Sequence, residues 1–220
     1  TITSGATASA IDENSGAGQV IYTATADDSA DVSDTPIIFS LSEDSDAALS
    51  INSLTGVVTL NTNPDYEAQD SYSFAVIATD AAGNASTAQS VTLDINNLDE
   101  VAPTITSGAT ASAIDENSGA GQVIYTATAD DSADTSDGVT FSLADEALGF
   151  TINAETGVVT TNADFVADYE SAQSQSFTVV ATDAAGNASN QVVSVAINNL
   201  DEIAPTITSG ATASAIDENS

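Results

Sequence analysis

The chain reads as all-β: tandem seven-stranded Greek-key β-sandwiches, each about 100 residues long. Three observations predict this. The fifteen residues Thr1-Ile-Thr-Ser-Gly-Ala-Thr-Ala-Ser-Ala-Ile-Asp-Glu-Asn-Ser15 recur from Thr104 and again from Thr206. A repeat of domain length, rather than of about 20–50 residues, means whole domains in tandem and not a solenoid. Within each unit, short β-rich runs are punctuated by Gly, Asn, Asp and Ser, and no stretch carries helical periodicity. The 42% apolar content also argues for folded domains rather than an acidic disordered tail.

The spacing predicts strands over 2–11, 19–25, 37–41, 49–51, 57–60, 72–79 and 89–95 of the first unit. Alternation is clearest in the last two: Tyr72, Phe74, Val76 and Ala78 face one way, as do Val91, Leu93 and Ile95, while Thr92 and Asp94 face water. Thr55-Gly56 and Ala82-Gly83-Asn84 are turn signals. Residues 1–34 and 104–137 differ only at Val32 versus Thr135. The expected organisation is therefore repeat 1 over 1–103, repeat 2 over 104–205, and over 206–220 the first strand of a truncated third repeat. The chain thus reads as an excerpt of a longer array, with its second junction half built. Duplicated modules suit a task that scales with copy number, such as length, valency or spacing.

Thirty-three Asp and Glu face no Lys, Arg or His, for a formal charge of −33. Apart from the α-amino group, no carboxylate can find a salt-bridge partner within its own chain. Two carboxylates ~4 Å apart repel by about 4 kcal/mol at an effective dielectric near 20. A clustered or buried acid must then be protonated, hydrogen-bonded by neutral donors, or bound to a metal ion. A polyanion of this kind does not bind nucleic acid or anionic lipid electrostatically. No stretch approaches the roughly 20 apolar residues of a membrane span, and no signal peptide is visible. There is no cysteine, hence no disulfide framework, so a different staple is expected for small extracellular domains.

Strands that alternate up and down sort the acids by pole. Asp12-Glu13-Asn14 ends the first strand, Asp65-Tyr66-Glu67 lies between the fifth and sixth, and Asn97-Leu98-Asp99-Glu100 follows the seventh. These share the far pole. Asp27-Asp28 and Asp80 share the near pole, where the chain enters the domain. Stacking two units end to end would gather Glu13, Asp65, Glu67, Asp99, Glu100, Asp130, Asp131 and Asp183 around one junction. Glu116, Asp168, Glu170, Asp201 and Glu202 form the far pole of the second unit. Hard oxygen ligands at high negative charge, with no nitrogen or sulfur, describe a calcium site (Ca2+); magnesium keeps more water and tolerates crowded carboxylates poorly.

These motifs resemble the cadherin repeat over essentially the whole chain. Ile11-Asp-Glu-Asn14 is similar to the acidic end of that family's first strand. Asp65-Tyr-Glu67 and Asp168-Tyr-Glu170 resemble its Asp-Arg-Glu motif, with tyrosine for arginine. Ala78-Thr-Asp-Ala-Ala-Gly83 and Ala181-Thr-Asp-Ala-Ala-Gly186 resemble its Ala-x-Asp-x-Gly motif, and Asn97-Leu-Asp-Glu-Val-Ala-Pro103 its acidic linker. The resemblance implies an immunoglobulin-like sandwich with calcium between consecutive repeats. Glu13, Asp65, Glu67 and Glu100 would hold the inner ions, and Asp99, Asp131 and Asp183 the outer one. The family's Asp-x-Asp reads Ala129-Asp130-Asp131 here, and Asn97 and Asp99 exchange the usual linker types, which implies two or three ions per junction. Lacking cysteine and basic residues, the chain looks like the bacterial variety of repeat found in the stalks of large secreted RTX-type adhesins.

Plainer readings account for other motifs. The acids of 28–31 and 43–46 read as solvated loops. Asn84-Ala-Ser86 and Asn187-Ala-Ser189 fit the N-glycosylation sequon but lie in predicted turns. Paired carboxylates also serve glycosidases, but here they come with no pocket-forming insertion and no aromatic platform, so an enzyme is not expected. The expectation is a calcium-dependent spacer of an extracellular or cell-surface adhesin, whose partners are the neighbouring repeats. The alternative is a homophilic or polymerising module in which identical chains exchange strands. Neither nucleic acid nor direct membrane insertion is expected.

Overall fold

A computed structural model describes residues 1–30, 36–135, 138–144 and 149–218. It divides into two compact units, Thr1–Glu100 and Val101–Ser220. Unit 1 contains β1 (Ile11–Asp12), β2 (Gln19–Thr23), β3 (Ile38–Leu41), β4 (Leu49–Ile51), β5 (Val57–Leu60), β6 (Ser71–Thr79) and β7 (Gln89–Asn96). One sheet has the order β1-β7-β6-β3 and the other β2-β5-β4. Tyr72, Phe74, Val76 and Ala78 of β6 and Val91, Leu93 and Ile95 of β7 are buried, as the period-two pattern predicts. They pack against Ile21, Val58 and Leu60 of the second sheet, with Tyr22 edge-on to Phe74. Each buried Val, Leu, Ile or Phe among them contributes about 1.5–3 kcal/mol.

The expected continuous first strand is instead broken. Ile2 bridges Ala26 antiparallel, Thr7 bridges Thr92 in parallel, and Ile11-Asp12 pairs in parallel with Ile95-Asn96. The segment starts on the β2 side and crosses to the β7 sheet, so no single ladder can run its length. The Tyr22 hydroxyl donates to the Gly5 carbonyl at the crossing, and Ala8 N–H donates to the Thr92 carbonyl beyond it. The parallel β1–β7 pair brings the ends of both strands to the far pole.

Unit 2 repeats the plan with β8 (Thr104–Ile105), β9 (Ile114–Asp115), β10 (Val123–Thr126), β11 (Ala129–Asp130), β12 (Thr140–Leu143), β13 (Phe150–Ile152), β14 (Val158–Thr161), β15 (Ser174–Thr182) and β16 (Ala188–Asn198). Its sheets are β12-β15-β16-β9 and β10-β14-β13, with a small β11-β8 pair. That small pair is the counterpart of the Ile2–Ala26 bridge. Phe165, which has no counterpart in unit 1, packs on Phe150.

The turn before β5 requires glycine. Gly56 has φ +69, and a Cβ there would lie 2.4 Å from the Ala24 carbonyl oxygen. Gly157 repeats this with φ +67 and 2.3 Å to Ala127 O. Both close approaches lock the turn to the end of the facing strand. The described part of the third copy, 206–218, carries no strand and is exposed throughout. The same sequence pairs within units 1 and 2, so its conformation is set by the sheet that receives it and not by local propensity.

Candidate functional site

At the far pole of unit 1, β1 delivers Glu13 beneath the surface, with 2% of it exposed. Its burial is tolerated because both oxygens accept backbone N–H groups, Oε2 from Tyr66 at 2.8 Å and Oε1 from Leu98 at 2.7 Å. Asn14 follows in a left-handed conformation with φ 56, which asparagine tolerates better than most residues. From there its N–H donates to the Pro64 carbonyl and its amide to Glu100. Oxygens of Glu13, Glu67 and Glu100 lie within 4.8 Å of one another. Asp65 is exposed and accepts the Ala68 N–H, and Asp99 lies just past β7.

Unit 2 repeats the arrangement. Glu116 is likewise 2% exposed and accepts the N–H groups of Tyr169, at 3.0 Å, and Leu200, at 2.5 Å. The Leu200 and Tyr169 N–H groups hold its carboxyl below the ordinary glutamate value against burial. Asn117 takes φ 59 and donates to Glu202 at 2.5 Å. The converging acids here are Glu116, Asp168 and Glu170, again within 4.8 Å. A hydrogen bond from its own backbone N–H pulls the Glu170 carboxyl down, but burial and the charges of Glu116 and Glu202 together raise it. Asp201 is exposed and accepts the Ile203 N–H.

The near pole of unit 2 is built by β11 and the turn after β15. Asp183 is 6% exposed; its Oδ1 accepts the Gly186 N–H at 2.7 Å and the Asn187 N–H at 2.8 Å. Burial pushes its carboxyl up, and these turn hydrogen bonds outweigh that and hold it below the usual aspartate value. Its Oδ2 is buried with no hydrogen-bond partner. An oxygen of Asp131, itself buried, lies within 4.8 Å of one of Asp183. Of the adjacent pair, Asp131 turns inward, whereas Asp130 is exposed and accepts the Ser132 N–H.

Unit 1 has the same near pole. Asp28 is half-buried with an unpartnered Oδ2, and with Asp27, Asp80 and Asn84 it lines a cavity of about 370 Å³. The reading of 28–31 as a solvated loop therefore fails for Asp28. Its equivalence to Asp131 in the near-identical 1–34 and 104–137 segments was the signal that could have found it. Asp80 is already satisfied by Asn84, whose N–H and side-chain amide donate to Oδ1 and Oδ2 at 2.7 and 2.8 Å. Both sequon asparagines thus serve their turns.

The donors at these poles are hard oxygens, and no basic side chain exists to neutralise them. That set fits calcium and offers nothing to a softer metal. Among the described residues, no helix is long and apolar enough to cross a membrane.

Comparison with known proteins matches the fold. Three solved structures illustrate the likeness, and below 25% identity each speaks to the fold alone. Mouse cadherin-23 EC22-24 is 23% identical over 89% of this chain and 64% of its own, with a TM-score of 0.62. Human protocadherin-24 EC1-2 is 17% identical over 89% and 95%, with a TM-score of 0.67. Drosophila N-cadherin EC1-4 is 24% identical over 88% and 47%, with a TM-score of 0.63. The chain thus spans less than two thirds of the mouse and Drosophila structures. No curated protein matches it. The sequence profile of the cadherin domain matches residues 7–96 and 99–198, and the chain belongs to the cadherin family.

Proposed function

We propose that the chain is a calcium-dependent spacer, a rigid extender of a secreted or cell-surface adhesin of the bacterial stalk type. Cadherin domains are extracellular, adhesion-related modules rather than enzymes, and this reading gives the two domains a specific task. Glu13, Asp65, Glu67 and Glu100 of unit 1 hold the inner ions. Asp99, Asp131 and Asp183 hold the outer one, with two or three ions per junction. Glu116, Asp168, Glu170, Asp201 and Glu202 form the corresponding calcium pole of unit 2.

The observation that carries this is Asp183: a carboxylate oxygen buried without a partner, beside a second buried aspartate, in a chain without Lys, Arg or His. The turn N–H groups satisfy Oδ1 alone, and in a chain with no basic side chain a bound cation is the partner this reading assigns to Oδ2. Small-angle scattering in excess calcium and then in chelator tests the spacer role. The maximum dimension should be well defined with calcium and should broaden without it, and an unchanged distance distribution would sink the rod.

A second reading, adhesion between copies by strand exchange, draws on 206–218, an exposed segment identical in sequence to one that pairs within each unit. Sedimentation at rising concentration separates the two readings, because a pure spacer stays monomeric.

A further inference from the structure

The two far poles share Asp-Tyr-Glu, at 65–67 and 168–170, but differ at the next residue, which is Ala68 in unit 1 and Ser171 in unit 2. In each unit the backbone N–H of that residue donates to the aspartate: Ala68 to Asp65 Oδ1 at 3.0 Å, and Ser171 to Asp168 Oδ1 at 3.1 Å. Unit 2 adds a second bond, from the Ser171 hydroxyl to Asp168 Oδ2 at 2.7 Å. Alanine has no hydroxyl with which to repeat it.

Two consequences separate the poles. Asp168 is half-buried and converges with Glu116 and Glu170 within 4.8 Å. Asp65 is exposed, and Glu100 takes the third place in the corresponding cluster of unit 1. The same tripeptide therefore presents its aspartate differently in the two units.

We infer that Ser171 is a positioning residue, whose hydroxyl holds Asp168 in the ligating orientation and thereby raises the calcium affinity of the far pole of unit 2. A carboxylate has about four lone-pair sites, so an oxygen that accepts the hydroxyl can still face a metal ion. An aspartate held by two donors loses little rotational freedom when it binds, whereas Asp65, held by one, must be ordered by the ion. The chain thus tunes its poles one at a time through a neutral side chain, without altering a carboxylate. This inference rests on the calcium reading.

The test is a calcium titration of the full chain followed by the backbone amides of Leu98 and Leu200, which donate to Glu13 and Glu116 and report the two poles separately. Ser171→Ala should weaken the affinity seen at Leu200 by about tenfold or more, the usual effect of losing a group that orients a ligand. The Leu98 curve should not move, and Ser171→Thr, which keeps the hydroxyl, should retain the wild-type Leu200 curve. Ala68→Ser should tighten the Leu98 curve, a gain that damage to the fold cannot produce. An unchanged Leu200 curve in Ser171→Ala, or an unchanged or weakened Leu98 curve in Ala68→Ser, overturns the role of Ser171. No calcium response at either amide in the unmodified chain overturns the calcium reading itself.

Discussion

Asp183→Asn separates the charge at this site from the turn that its carboxylate closes. Asp183 Oδ1 accepts two turn N–H groups, while Oδ2 is buried and unpartnered. Asp183→Asn keeps the first acceptor and removes the charge. Because the turn N–H groups favour the charged form, the variant should unfold at a slightly lower midpoint in chelator. With calcium the gap should widen. Ligand at 100 times its Kd stabilises the folded state by about 2.7 kcal/mol. In a domain of about 100 residues each kcal/mol moves the midpoint by ~4–8 °C, so unit 2 of the unmodified chain should gain about 11–22 °C. The variant should gain little. Differential scanning calorimetry in saturating calcium and in chelator measures both arms. A variant that keeps the full calcium shift would refute the reasoning.

Two further outcomes follow from the geometry. Gly56→Ala and Gly16→Ala both place a side chain at positive φ, +69 and +89, but only at Gly56 would the Cβ collide with backbone. Left-handed strain costs each about 1–2 kcal/mol, and the displaced Ala24 carbonyl should cost Gly56→Ala about 1–3 kcal/mol more. Equal urea midpoints would contradict this. In chelator, stability should peak at mildly acidic pH. Glu170 has a raised carboxyl, so its stabilising contribution is complete below the unfolded value of 4.5 and is lost as pH rises through the folded one. Glu116, Asp168 and Asp183 have lowered carboxyls, so their contributions are present above the unfolded values of 4.5 and 3.8 and are lost as pH falls through the folded ones. A monotonic fall from neutral pH, followed by urea unfolding, would contradict the assignment.

The strands of unit 1 were legible wherever large apolar residues alternate. The expected 49–51 and 57–60 are β4 and β5, and the last two strands agree with β6 and β7 to within a residue at each end. The first strand was misread because its β-branched Ile and Thr suggest a strand, while the Ser, Gly and Ala between them offer no side chain large enough to declare a sheet. Its split between Ala26 and Thr92 is decided by tertiary pairing. The acidic poles were legible because the chain holds no basic side chain, which leaves a buried acid few alternatives. Asp28 was grouped with Asp80 at the near pole by strand direction, yet its burial was missed in the reading of 28–31 as a solvated loop. Asp-Ser-Ala-Asp reads locally as a polar turn, and the burial of its Oδ2 depends on surroundings that include Asp80, distant in sequence. The inward turn of Asp131 rather than Asp130 came only from the family resemblance, because two adjacent aspartates differ only in which face of the backbone they leave.

The central claim is that these poles bind calcium, and isothermal titration calorimetry of the full chain tests it most directly. The account predicts saturable binding, with Kd values of about 10⁻⁴–10⁻³ M as for other extracellular modules, and with the stoichiometry reduced in Asp183→Asn. Heats that never saturate, or a titration that Asp183→Asn leaves unchanged, would contradict it.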